Sequence, residues 1–157
     1  MKQYFFLLLS VAIFVNGCID PPEYPDEPVL EFVSVSSQSI VAQTTPRTDN
    51  RQTDTLYIVF SFTDGDGDLD LDASTNMPNV FVKDSRTGTE EPFKVPTIPD
   101  QGVNNGISGE ITLRFDELFC FPNSPPTDKV TFTIRVVDKA GHESNKITTP
   151  EIELTCN

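Results

Sequence analysis

The sequence predicts an all-β, antiparallel Greek-key sandwich of seven or eight short strands, and three observations predict it. Apolar residues alternate with polar ones at a period of two in several separate runs. Turn-forming glycines, asparagines and prolines separate those runs. No segment sustains a helical period, and thirteen prolines in 157 residues discourage one.

Taken in order, the first strand is expected near 30–44, in two weaker stretches, Leu30 to Ser36 and Ile40 to Thr44. The second, 55–63, is the clearest: Leu56, Ile58, Phe60 and Phe62 fall on one face, and Tyr57, Val59, Ser61 and Thr63 on the other. A third is expected at 79–85 and a fourth near 92–97, separated by Arg86-Thr87-Gly88-Thr89, which suits a hairpin reversal. Asn104-Asn105-Gly106 offers the positive φ angles of another tight turn, and the fifth strand, 108–115, then alternates Ile111, Leu113 and Phe115 against Thr112 and Arg114. The sixth, 129–137, sets Val130, Phe132, Ile134 and Val136 against Thr131, Thr133, Arg135 and Val137. The seventh, 146–155, sets Ile152 and Leu154 against Glu151 and Glu153.

In a Greek-key order, the turns after the second, fourth and sixth strands gather at one end, and the turn after the fifth and the end of the seventh lie at the other. Cys120 follows the fifth strand and Cys156 ends the seventh, so a Cys120–Cys156 disulfide is expected, with α-carbons within about 7 Å. In the chain-entropy model a bridge closing about 36 residues contributes about 4 kcal/mol. The alternative is two buried or unpaired thiols. With no CxxC and His142 as the only histidine, nothing has the spacing of a zinc site.

Before the strands, Val15-Asn16-Gly17-Cys18 ends a short apolar run, Tyr4 to Val15, that follows Lys2. This arrangement resembles a bacterial lipoprotein signal with its lipobox, which implies cleavage before Cys18 and a diacylated cysteine there. The run is shorter than the roughly 20 residues of a membrane span, so membrane attachment is expected through lipid. The competing readings are an ordinary secretory signal or a buried core segment. The expected organisation is a signal peptide at 1–17, an acidic proline-rich tether at 18–28, and one sandwich domain at 29–157. The tether, Ile19-Asp-Pro-Pro-Glu-Tyr-Pro-Asp-Glu-Pro28, has too many prolines and acids for a helix or a central strand. Acidic residues soon after the lipidated cysteine resemble the export signals of surface lipoproteins in Bacteroidota, and an ordinary acidic linker explains them equally. The expected location is the cell envelope, at the outer membrane or cell surface.

A formal net charge of −13 repels phosphate backbones and sets nucleic acid aside as a partner. The acidity is either a solvated surface or in part a cation site. Its densest part is Asp64-Gly65-Asp66-Gly67-Asp68-Leu69-Asp70-Leu71-Asp72, where five carboxylates alternate along the chain. Such carboxylates repel one another unless a cation or water separates them, and hard oxygen ligands suit calcium. An EF-hand is excluded, because its sixth and twelfth positions fall on Leu69 and Thr75. In the sandwich order Asp138, ending the sixth strand, reaches the same end, so Asp64, Asp66, Asp68 and Asp138 form the candidate metal set. The bland alternative is an acidic solvated turn held by side-chain-to-backbone hydrogen bonds.

Asp64, Asp66, Gly67 and Asp68 match the D-x-D-G-D loop after a strand in cadherin-like and polycystic-kidney-disease-type immunoglobulin-like domains. The run Arg135 to Ser144 also resembles the late strand and turn of bacterial immunoglobulin-like or fibronectin-type-III-like modules, with His142 where asparagine is common. The resemblance covers two short windows and implies an immunoglobulin-like sandwich, although the cysteines and tryptophan of antibody domains are absent. Such modules act mostly as adhesins, spacers or accessories of carbohydrate machinery, and the fold does not choose among these.

The functional expectation is a non-catalytic lipoprotein that binds or scaffolds an unknown protein or glycan; the alternative is a calcium-dependent adhesion or glycan-binding module. Carboxylates two residues apart in one loop lack the flanking geometry of a glycosidase pair, and His142 and Ser144 in one turn make no triad. His142 is expected to be a solvent-facing turn residue. Phe119, Phe121 and Pro122 either plug the end of the sandwich or form an exposed aromatic patch.

Overall fold

The computed structural model describes residues 23–44, 53–69, 77–94, 106–121 and 124–156. Cys18, residues 19–22 of the expected tether, Pro122, and Asp70 and Asp72 of the acidic run lie outside the described residues.

The chain is an all-β sandwich with an immunoglobulin-like arrangement, built among the described residues from eleven strand segments. The first layer takes its shape from β3 (Leu56–Asp64), whose side chains alternate strictly between buried and more exposed positions. β3 pairs antiparallel with β6 (Ile107–Phe115) from Leu56↔Phe115 through Asp64↔Ile107, and with β1 (Val29–Val35) on its other edge. A register shift in β1 between Phe32 and Ser34 marks a bulge there.

In the facing layer, β4 (Val80–Asp84) and β5 (Glu90–Phe93) form the expected hairpin around Arg86-Thr87-Gly88-Thr89. β5 begins two residues before the expected fourth strand and lies beside β4. β4 also pairs with β9 (Phe132–Val136), which pairs with β10 (Ile147–Thr148). β8 (Thr127–Val130) precedes β9 with only Thr131 between, and β11 (Ile152–Cys156) follows β10 after three residues, so the ladder β7-β2-β11-β8 continues the ladder β10-β9-β4-β5.

One part of that layer departs from antiparallel pairing. The expected first strand breaks at Ser36–Gln38 into β1 and β2 (Ser39–Thr44). β1 stays in the first layer, whereas β2 crosses over and runs parallel to β11 and to β7 (Phe119–Cys120). The physical reason is direction: β2 leaves the first layer and lies along the free edge of the last strand running the same way, so the two pair side by side in parallel.

Leu56, Ile58, Phe60, Phe62, Phe132, Ile134 and Val136 are all buried in one core together with Val80, Val82, Ile152 and Leu154. Phe115 links Phe93 and Phe132 in an aromatic series, with both ring-centroid separations at 5.3 Å. At that end Cys120 and Cys156 are disulfide-bonded with α-carbons 5.8 Å apart. Beside the bridge, Leu118 and Cys120 point inward, so alternation turns Phe119 and Phe121 outward, where both are exposed. They form a surface patch rather than a plug, with the Arg86 guanidinium 4.9 Å above the Phe121 ring.

The second half of the expected tether does not run free of the domain. Pro28 is buried, and the Pro25 carbonyl accepts the Gly65 amide at 2.8 Å. Gly65 has no side chain, so the Tyr24 and Pro25 carbonyls come directly against its backbone.

Candidate metal centre

Strand alternation builds the site. Asp64 has the same parity as Leu56, Ile58, Phe60 and Phe62, so the inward face of β3 ends in a carboxylate. Asp138 likewise continues the inward series Phe132, Ile134 and Val136 of β9. Because β3 and β9 belong to opposite layers, the two acids meet across the end of the sandwich, and both are buried.

The loop after β3 then returns Asp66 and Asp68 to the same point. Gly67 takes φ 72°, a left-handed conformation that a side chain resists. Leu69 is fully buried and anchors the loop, its amide donating to Asp64 Oδ2 at 2.8 Å. Asn79, just before β4, secures the anchor: its side-chain amide donates to the Leu69 carbonyl at 2.8 Å, and its own carbonyl accepts the Val137 amide at 2.9 Å. The Lys139 amide donates to the Asp68 carbonyl at 3.2 Å and joins the loop to the turn after β9.

One carboxylate oxygen from each of Asp64, Asp66, Asp68 and Asp138 lies within 4.8 Å of all the others. Calcium binds oxygens at about 2.3–2.6 Å, so ligands on opposite sides of one ion stand about 5 Å apart, and the four carboxylates fit around a single ion. Asp64 Oδ1 and Asp68 Oδ1 are buried and accept no hydrogen bond. Buried oxygens without partners are costly, and a cation at their junction supplies what they lack. Among the described residues, no lysine or arginine forms an ion pair with Asp64, Asp66 or Asp68.

The electrostatics agree. Burial, reinforced by the charges of Asp66, Asp68 and Asp138, pushes the Asp64 carboxyl up to about 6 against the opposing Leu69 hydrogen bond. Asp68 is raised by burial and then by Asp138 and Asp66, although the amides of Lys139 and Ala140 favour its charged form. Asp138 is held by its own turn: Oδ1 accepts the amides of Gly141 and His142, each at 2.7 Å, and Oδ2 lies 2.9 Å from His142 Nδ1. The carboxylate hydrogen bond raises the pKa of His142.

The structure thus brings together all four residues of the candidate metal set. His142 is half-exposed but engaged with Asp138, which a purely solvent-facing role does not describe. Ser144 is buried, its hydroxyl donating to the Asn145 carbonyl at 2.7 Å and accepting the Val136 amide at 3.0 Å. The sequence reading missed Asn79 and the anchoring role of Leu69. It also missed Asn145, which donates to the Leu30 carbonyl at 2.9 Å and accepts the Leu30 amide at 2.7 Å. A small amide just before a strand is the sole signal that Asn79 offered.

No protein-family profile, curated protein or solved structure matches the chain.

Proposed function

We propose that this chain is a non-catalytic, lipid-anchored envelope module that binds calcium at the loop after β3 and binds or scaffolds a protein or glycan. The observation that carries the calcium part is the convergence of four carboxylates in which two buried oxygens have no hydrogen-bond partner. That convergence favours the calcium-dependent form of the binding role over a purely structural spacer. Extracellular calcium modules work with dissociation constants of roughly 0.1–1 mM, so the ion stabilises the domain where calcium is plentiful.

The test is thermal unfolding of the soluble domain in chelator and in millimolar calcium. Calcium is expected to raise the melting temperature, and Asp66→Asn with Asp68→Asn to abolish the rise. No change up to several millimolar calcium returns the loop to a solvated acidic turn. The lipid anchor is tested separately by labelling with a fatty acid in cells expressing the wild type or Cys18→Ala; equal label in both rejects it.

A further inference from the structure

We infer that cation loading of the aspartate cluster fastens the segment 23–28 to the domain, making the joint at the head of the sandwich calcium-dependent. The inference rests on the calcium reading above. The point of contact is Gly65, which stands between Asp64 and Asp66. Its amide donates to the Pro25 carbonyl at 2.8 Å. A Cβ at this position would lie 2.3 Å from the Tyr24 carbonyl oxygen and 2.6 Å from that of Pro25, so the segment rests directly on the glycine backbone. A second glycine completes the seat: a Cβ on Gly106 would come within 2.8 Å of the Tyr24 ring and 3.1 Å of the Asp64 carbonyl oxygen.

The following residues are held from the other side of the cluster. Pro28 is buried, and Asn145 bonds both backbone groups of Leu30 from the chain just beyond the turn that holds Asp138. The entering chain, the loop after β3 and the region after β9 therefore meet around the same carboxylates. Without a cation, four close carboxylates repel one another, and the loop relieves that repulsion by moving apart. Displacement of Asp64 or Asp66 displaces the Gly65 amide between them and removes the seat. A bound cation fixes both aspartates and holds that amide toward Pro25. Linkage then requires reciprocity: whatever factor calcium adds to docking of the segment, the docked segment adds to calcium affinity.

Hydrogen exchange of the full mature chain, with and without calcium, tests this together with a calcium titration. In the wild type, calcium is expected to slow exchange of the Gly65 amide and of the amides within 23–28 by about tenfold or more. Gly65→Ala, which keeps every carboxylate, is expected to leave 23–28 fast-exchanging in either condition and to weaken calcium binding several-fold. Tyr24→Ala, which likewise keeps every carboxylate, is expected to act in the same direction and serves if Gly65→Ala fails to fold. Calcium that binds wild type and raises its melting temperature while exchange of 23–28 stays unchanged overturns the coupling and leaves the calcium reading standing. Absence of calcium binding overturns both.

Discussion

Asp64 and Asp138 end the inward faces of two strands in opposite layers, and their carboxylates meet within 4.8 Å across the end of the sandwich. A core that closes on two buried acids uses its own alternation as a template for a charged site. Asp138→Asn keeps the shape of the side chain and removes one charge from the cluster. It is expected to weaken calcium binding by tenfold or more in a calorimetric titration, whereas Asp116→Asn, at an exposed ion pair with Arg114, leaves affinity unchanged.

The metal-free domain should lose stability as pH rises. The Asp64 carboxyl is raised from 3.8 to about 6 by burial, so its contribution is full below about pH 4 and is lost as pH climbs through 6. That rise is worth at most ~3 kcal/mol. His142, raised above 6.5 by Asp138, acts in the same sense at somewhat higher pH. Urea unfolding in chelator between pH 4 and 7.5 is expected to show the decline, Asp64→Asn to flatten it, and calcium to restore stability at the neutral end.

Reduction of the Cys120–Cys156 bridge is expected to cost about 2–5 kcal/mol, read as a fall in melting temperature on the order of 10 °C. Cys120→Ser with Cys156→Ser should match the reduced wild type. Because the bridge and the carboxylates lie at opposite ends of the strands, the calcium-induced rise in melting temperature should persist in that variant.

Phe60 is fully buried on the inward face of β3, and Tyr57 is exposed on its outer face. Phe60→Ala is expected to destabilise the domain by about 3–5 kcal/mol in chemical denaturation, and Tyr57→Ala by about 1 kcal/mol or less. Similar losses at both positions would contradict the burial pattern of the strand.

Much of this arrangement was legible in the sequence because period-two alternation states both which residues form the core and where each face ends. The same counting that buried Phe60 and Ile134 reaches Asp64 and Asp138 without a break in parity. The disulfide followed from topology, since both cysteines terminate segments at one end. The crossing of β2 to pair in parallel with β11 was not legible, because alternation within a strand says nothing about which edge it joins. Asn79 and Asn145 were hidden for a related reason: their roles rest on hydrogen bonds to backbone far along the chain, and local sequence carries no mark of such partners. The docking of 23–28 depends on two glycines that the turn reading treated as local punctuation.

The entry of the chain beside Gly65 gives the molecule a direction. β3 is nine residues long and runs from the disulfide end at Leu56 to the acidic end at Asp64, a distance of roughly 30 Å at about 3.3 Å per residue. A sandwich suspended by its leading segment hangs from the carboxylate pole, and the exposed rings of Phe119 and Phe121 occupy the opposite tip. The aromatic tip therefore stands about one domain length from the point where the chain enters the sandwich.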